Sequence, residues 1–436
     1  MLRLSLLYFR SVSLLDRTKR ILLNETDLTI YFGSYVSHKR HVVLAWELGG
    51  GYGHIAGFIP LADELRKNNC RISWILRDTK YFHALCGMTD DMVLQAPFSH
   101  PKAGVTIRPV NNFSDLLSRH GCGHANELIG LVGAWRSLFK LLKPDLLICD
   151  HSPMAIFAAR GGTFPVASYG TGFFLPPAVS PWPGLQPFKA IDEEKLLESD
   201  TLILNVFNSS LSQLGEPGLQ QMSDLFDIDT HFLCTFPELD HYHGRKTEDY
   251  WGPRMDVSSG VEPVWPKGNG PRVFAYLKEN HSSTGNVIAA LAELGWPSLV
   301  HFTGGKQSDI DTLSCSSIVI SNEHLHMGQL VQQADLFINH AGHGTISASL
   351  LGGKPSLMIP SQQEQLLLAK AVAQYGLGIL GKNNGSSKEI IQWLKGLDQS
   401  ETIKAQCRFF AAKYQDFDTE EQVQLIAEHC LEMMSQ

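Results

Sequence analysis

The chain has 436 residues, 44% of them hydrophobic and 18% charged, with a formal net charge of −8 and a pI near 6.1. That length exceeds one compact core and predicts two domains, while the composition excludes a disordered chain. The acidic balance excludes a general nucleic-acid surface, although a small anionic ligand needs only backbone N–H groups and a few local cations.

Residues 1–40 form an extension of uncertain structure. The start, MLRLSLLYFR, has an apolar patch but neither an adequate hydrophobic region nor a small-residue cleavage site for a signal peptide. No apolar run reaches the length of a membrane span. The eight cysteines contain no CxxC pair, and Cys149 and Cys234 stand in apolar runs as core thiols, so a reducing compartment is expected. The run His120-Gly121-Cys122-Gly123-His124 matches no zinc spacing and reads as a glycine-rich loop, as does His241-Tyr242-His243. No metal site is expected. The expected location is cytoplasmic, with peripheral membrane contact left open.

Periodic structure begins at His41. His41–Leu48 is a buried strand, Gly49-Gly50-Gly51-Tyr52-Gly53 a turn, and Ile55–Asn68 an amphipathic helix, followed by a strand at Arg71–Leu76. The turn has three readings. Gly51-x-Gly53-x-x-Ala56, with Asp78 near the end of the second strand, satisfies a dinucleotide fingerprint for an NAD or FAD enzyme. The same turn sets His54 at the start of a helix, where it suits a general base. It also reads as a plain strand–helix turn. Further on, Glu127–Leu142 is helical up to Pro144, and Asp145–Cys149 is a strand that ends at Asp150. Asp150 then either pairs with His54 at the same sheet edge or caps the next helix, Met154–Arg160. Pro165–Tyr169 is another strand. The loop 169–187, rich in proline and carrying Phe173, Phe174 and Trp182, with Phe188 beyond, lines a cleft or is tacked down by its aromatics.

Residues 246–270 lose periodicity and form the expected linker between an N-terminal domain, 41–245, and a C-terminal domain, 271–436. Strands follow at Arg272–Leu277, Pro297–Phe302 and Ser317–Ile320, with helices at Thr284–Glu293 and Met327–Gln333. The alternation predicts an α/β protein with two Rossmann-like, doubly wound parallel sheets facing a cleft.

The segment Asp335–Gln365 carries the most chemistry. A buried strand, Leu336-Phe337-Ile338, feeds the turn His340-Ala341-Gly342-His343-Gly344, and Thr345 stands where a helix opens. Free backbone N–H groups at such a turn suit a phosphate or diphosphate, and His340 beside it adds a cation or a donor. Gly352-Gly353 ends the helix, and Ser356–Ile359 returns as a strand closed by Pro360. The polar cluster Gln362–Gln365 lies on the same sheet edge. Together these suggest a nucleotide-sugar site.

Gly53-His54 after the first strand, Asp150 after PDLLIC and the segment 339–365 converge on a known pattern. The chain resembles inverting glycosyltransferases of the two-domain GT-B fold, especially the nucleotide-sugar-dependent family 1 enzymes and their bacterial macrolide and glycolipid relatives. Those bacterial enzymes carry HHGGAGT where this chain has NHAGHGT, 339–345, and the family's proline and acidic-Gln pair appear as Pro360 and Glu364-Gln365.

The resemblance implies that His54 deprotonates the acceptor hydroxyl and that Asp150 balances its charge. It implies that His340, Gly342, Gly344 and Thr345 bind the donor diphosphate and that Glu364 and Gln365 grip sugar hydroxyls. Gly53, Gly304 and His343 are further candidate cleft residues: Gly304 either approaches the donor or forms a simple turn, and His343 either reaches the donor or packs, with packing expected. Inversion follows by a single displacement at the anomeric carbon, with no metal and no cofactor. The co-substrate expected is a UDP- or TDP-sugar, and the acceptor a small molecule, lipid or aglycone; no nucleic acid is expected. The chain departs from the plant members, which stack the base on a Trp absent here and hold the ribose through a Glu where this chain has Ala348. Alternatives are a GT-B-fold sugar-nucleotide epimerase or hydrolase, and a non-catalytic nucleotide-sugar-binding subunit.

Overall fold

The computed structural model describes residues 39–435 except 52, 100–109, 186–190, 243–244, 246–248 and 305–312. The expected extension 1–40 therefore lies, but for its last two residues, outside the described ones, as do the first three residues of the expected linker. His41–Gln436 forms one unit, built from two halves of the same design.

In the first half, among the described residues, the order is β1 (His41–Trp46), α1 (Gly53–Lys67), β2 (Arg71–Leu76), α2 (Phe82–Cys86), β3 (Met92–Gln95), α3 (Phe113–Leu117), α4 (Ala125–Leu142), β4 (Leu146–Asp150), α5 (Pro153–Ala159), β5 (Val166–Gly170), α6 (Glu193–Leu214) and β6 (Thr230–Leu233). The second half runs β7 (Val273–Lys278), α7 (Thr284–Leu294), β8 (Ser298–Thr303), β9 (Ile318–Ser321), α8 (Met327–Gln333), β10 (Leu336–Asn339), α9 (His343–Leu351), β11 (Ser356–Met358), α10 (Gln363–Gln374), β12 (Gly378–Leu380), α11 (Ser387–Gln399), α12 (Glu401–Lys413) and α13 (Thr419–Met433).

Each half holds a six-stranded sheet, ordered β3-β2-β1-β4-β5-β6 and β12-β11-β10-β7-β8-β9, and every strand pairing is parallel. Counted within its own half, the second order repeats the first. Sheets with helices on both faces bury their strands completely, which is why β1, β4 and β10 read as unbroken apolar runs. In this order the chain reverses direction between β1 and β4 and again between β7 and β10. Crevices at the carboxyl ends of those strands are where ligands bind in such sheets.

The elements expected from periodicity are present with small shifts at their ends. The first helix begins at Gly53 rather than Ile55, and the helix after β10 opens at His343, not Thr345, because Gly342 is its extended N-cap. The aromatic loop after β5 is tacked down by its aromatics. Trp182 is fully buried against Phe113 and Phe226, while the Phe174 ring meets that of His54 at 5.3 Å.

One expected boundary is corrected. The stretch 271–436 is not all one half, because α13 crosses back to the first. Its Ile426, Ala427 and Cys430 join the core built on β1, α1 and β2. Gln422 Nε2 donates to the Trp251 and Gly252 carbonyls, both at 2.6 Å. An amphipathic helix advertises an apolar face but not the sheet that covers it. The expected linker is also docked rather than loose: Tyr250 bridges to Leu233 at the β6 edge, and the Trp251 ring sits edge-on to Phe232 at 5.1 Å.

Ile426 is fully buried in the first half's core. Ile426→Ala is expected to cost about 3 kcal/mol, read by chemical denaturation followed through Trp fluorescence. A change below about 0.5 kcal/mol would show that α13 does not stabilise that core.

Candidate active site

The first crevice is built by the ends of β1 and β4. Parallel register sets Trp46 beside Asp150, so the turn after β1 and the carboxylate ending β4 meet at one edge. His54, in the first turn of α1, lies there with its Nδ1 3.0 Å from Asp150 Oδ2. Facing a carboxylate, Nδ1 carries the proton and leaves Nε2 with a free lone pair. The ring stacks on Trp46 at 4.8 Å and 16° and meets Phe174 at 5.3 Å. Gly49 makes this fit possible. Its φ is +82°, and a Cβ there would stand 2.8 Å from His54 Nε2. The imidazole thus lies over the glycine turn, where the dinucleotide reading needs a pyrophosphate, and Asp78 is engaged by Lys80.

Asp150 is fully buried. Its Oδ2 accepts a second hydrogen bond from Arg254 Nη2 at 2.9 Å. Burial pushes the Asp150 carboxyl up, but the Arg254 guanidinium and then His54 outweigh it and hold the group below the usual carboxylate range. Arg254 belongs to the stretch expected to be a linker. Its Nη1 donates to the Tyr169 carbonyl at 2.9 Å, and the guanidinium stands 4.6 Å from the Tyr169 ring centroid.

Two further ionisable groups border this edge. His151 is buried in a left-handed conformation, φ +46°, stacked on Phe174 at 4.2 Å. Burial keeps it neutral, and neither ring nitrogen has a partner among the described residues. Glu47 is fully buried just past β1. Its Oε2 accepts the Met154 N–H at 2.9 Å at the start of α5, and burial pushes its carboxyl up to about 8.

The second crevice is built by the ends of β7 and β10. His340 is buried with both ring nitrogens committed to backbone. Nδ1 lies 3.0 Å from the Ile359 carbonyl, and Nε2 accepts the Lys278 N–H at 3.2 Å. Burial pulls it down to about 4. The expected alternative of a cation is therefore corrected: His340 is a neutral ring at the floor of the turn. His281, on the loop after β7, stacks on it at 4.0 Å. Ala341 has φ +57°, and its N–H donates to Asn339 Oδ1 at 2.8 Å. This small strained turn delivers the N-terminus of α9, which no side chain caps. The N–H groups of His343, Gly344 and Thr345 occupy its first turn, and Gly342, Gly344 and Thr345 are all partly exposed.

His343 bonds across to the first half, its Nε2 2.8 Å from Thr235 Oγ1, and burial pulls it down to about 3. Its expected packing role takes this polar form. Glu364 and Gln365 open α10. Gln365 Oε1 accepts from the Ser361 N–H at 3.0 Å and from its hydroxyl at 3.2 Å. Burial, with Asp150 adding to it, pushes Glu364 up to about 7, while His54 and Arg254 oppose. The two edges are linked directly by the His343–Thr235 hydrogen bond. Gly53 begins α1 with open space at its Cβ position. Gly304 follows β8 with φ +86°, immediately before residues outside the described ones.

The fold recurs in solved structures. CalG4, the calicheamicin glycosyltransferase, superposes with a TM-score of 0.64 at 16% identity, covering 90% of this chain and 98% of that one. The glycosyltransferase VinC in complex with DTDP superposes at 0.60 and 12% identity, covering 91% and 99%. The chain has the GT-B glycosyltransferase fold. Within the GT-B second half, residues 290–415 match the glycosyltransferase family 28 C-terminal domain. A UDP-N-acetylglucosamine–N-acetylmuramyl-(pentapeptide) pyrophosphoryl-undecaprenol N-acetylglucosamine transferase from Nostoc sp. (strain PCC 7120) is 26% identical over 98 residues, 22% of this chain and 28% of that protein. The match thus spans little more than a quarter of that relative's length.

Arg254, Glu47, His151 and His281 escape the sequence reading. Glu47 and His151 each stand directly beyond a strand that ends at the switch point, a positional signal that was available. Arg254, beside Pro253 in a glycine- and proline-rich stretch, offers none.

Glu47 generates a pH test. Unfolded, a glutamate ionises near 4.5, but the folded group holds its proton to about 8. The folded state therefore binds the extra proton between those values, and stability falls as pH rises through that window. Glu47→Gln is expected to remove this part of the slope. Denaturation midpoints measured from pH 4.5 to 8.5 check it, and an unchanged slope would contradict the assignment.

Proposed function

We propose that the protein is an inverting glycosyltransferase that moves a sugar from a nucleoside diphosphate donor to an acceptor hydroxyl. The observation that carries this reading is the His54–Asp150 pair at one switch point, facing an uncapped helix N-terminus at the other. His54 Nε2 takes the proton of the acceptor hydroxyl. The acceptor oxygen forms its bond to the anomeric carbon as the bond from that carbon to the diphosphate breaks. The nucleoside diphosphate leaves with the electron pair.

Charge developing on the diphosphate is met by the N–H groups of His343, Gly344 and Thr345 together with the α9 dipole, and the Thr345 hydroxyl adds a donor. These groups supply the stabilisation without a metal ligand set. His340 acts beneath them as the neutral ring that fixes the turn, and Glu364 and Gln365 take sugar hydroxyls. The aromatic wall of Phe173 and Phe174, backed by Leu185, Tyr242 and Leu367, suits an acceptor with apolar surface, such as a lipid or aglycone. DTDP bound to VinC and the UDP-sugar specificity named for the Nostoc relative support a UDP- or TDP-sugar as donor. No helix among the described residues is long and apolar enough to cross a membrane.

A second reading, hydrolysis of the donor, draws on Glu364, a carboxyl held near neutrality in the cleft. Water then replaces the acceptor and free sugar is the product. A mass-spectrometric screen of sugar nucleotides against candidate acceptors separates glycoside from free sugar.

His54→Ala is expected to lower transfer by at least about 10²-fold while nucleotide affinity by calorimetry stays within about threefold. Undiminished transfer would remove His54 as the base. His340→Ala is expected to weaken nucleoside diphosphate binding about tenfold by releasing the turn, and unchanged affinity would refute its supporting role.

A further inference from the structure

Arg254 touches both crevices. Its guanidinium is buried on Asp150 and the Tyr169 carbonyl. Its own carbonyl oxygen lies 3.6 Å from where a Cβ on Gly344 would stand, and Met255 Cβ lies 3.9 Å from that point. The stretch between the halves therefore passes beside the α9 turn while sending one side chain to the carboxylate behind His54. Gly57 of α1 makes room for it, since a Cβ there would meet Arg254 Cζ at 3.1 Å.

Two donors converge on a single oxygen. His54 Nδ1 and Arg254 Nη2 both reach Asp150 Oδ2, at 3.0 and 2.9 Å, while Oδ1 has no partner among the described residues. A buried Asp150 paired with His54 alone would draw a proton onto the imidazole to balance its charge. A protonated His54 is held in place but accepts nothing. Arg254 supplies the balancing charge permanently, so Asp150 stays ionised and His54 stays oriented with its Nε2 lone pair free. The other charged or titratable groups around the pair and Arg254 are His151 beyond β4, Glu364 on α10, Cys149 within β4, Cys234 just past β6 and His343 on α9. Trp46, Tyr169 and Phe174 complete the surround.

We propose that Arg254 is a positioning residue that sets the strength of the His54 base by sharing the Asp150 oxygen that orients it. The proposal rests on the transferase reading above. It extends that reading to a residue outside either motif, on the stretch joining the halves.

The test is the pH dependence of kcat, together with an NMR titration of the His54 ring that needs no turnover. In Arg254→Met the dyad loses a neighbouring cation, so its proton affinity rises. The acid limb of kcat and the His54 titration midpoint should both move up by about one to two pH units, with the donor KM changed less than about threefold. Arg254→Lys should keep both within a few tenths of a unit of wild type. Gly57→Ala favours the helix while crowding the guanidinium, and should shift both in the Met direction by a smaller amount. If Arg254→Met does not fold, Gly57→Ala carries the test. A fall in activity even across pH, with both midpoints unmoved, would reduce Arg254 to a structural anchor and overturn the proposal. No transfer by wild type with any sugar nucleotide, alongside a shifted His54 midpoint, would instead sink the transferase reading and leave the Arg254 assignment standing.

Discussion

A carboxylate removed from water is tolerated only where cations or donors meet it, and Asp150 is fully buried at the end of β4. Its partners come from three parts of the chain: His54 from α1, Arg254 from the stretch between the halves, and the strand itself, which fixes the carboxylate beside Trp46. Each of these commits something else. His54 needs Trp46 to stack on and Gly49 to leave space. Arg254 needs Gly57 and the Tyr169 carbonyl. The first crevice is thus organised round one negative charge, and neighbours that look incidental in the sequence are consequences of it.

The second crevice is organised differently. At its floor His340 is a neutral ring held by backbone at both nitrogens, with Lys278 close enough to disfavour its charged form further. What the turn presents is the uncapped start of α9, whose N–H groups attract an anion without a fixed counter-charge. The contrast is chemically sensible for the proposed reaction. A base needs a tuned ionisable pair, whereas a departing diphosphate needs fixed dipoles that do not titrate. Both crevices have a non-glycine residue in the left-handed region just past the switch-point strand, His151 in one and Ala341 in the other. Such strain gathers where backbone placement matters more than backbone comfort.

Most of the fold was legible because buried parallel strands are continuous apolar runs, and β1, β4, β7 and β10 announce themselves that way. His54 and Asp150 were legible for the same reason: each follows a strand whose end defines the sheet edge. The short edge strand β3 was not, since its outer residues are exposed and its pattern is diluted. The destination of α13 was hidden, because an apolar stripe does not name its partner. Arg254 was hidden because an arginine between Pro253 and Met255 in aperiodic sequence is indistinguishable from a solvated one. Residue type alone also misled at His340, where backbone groups some distance away in sequence occupy both nitrogens. The turn after β10 was itself readable from its small residues, but whether its histidine carried charge depended on burial.

The return of α13 to the first half means that the chain passes between the halves twice, once through 249–270 and once between Lys413 and Thr419. The two passages touch. Gly252 adopts φ +80° with a Cβ position 2.2 Å from the Phe417 ring, and Gln422 bonds the carbonyls of Trp251 and Gly252. Beside these passages, Phe236 and Leu239 after β6 pack into one core with Ile346, Leu368 and Phe410 of the second half. The halves are thus joined by a packed seam as well as by chain, and Arg254 leaves that seam two residues beyond the Gly252–Phe417 contact.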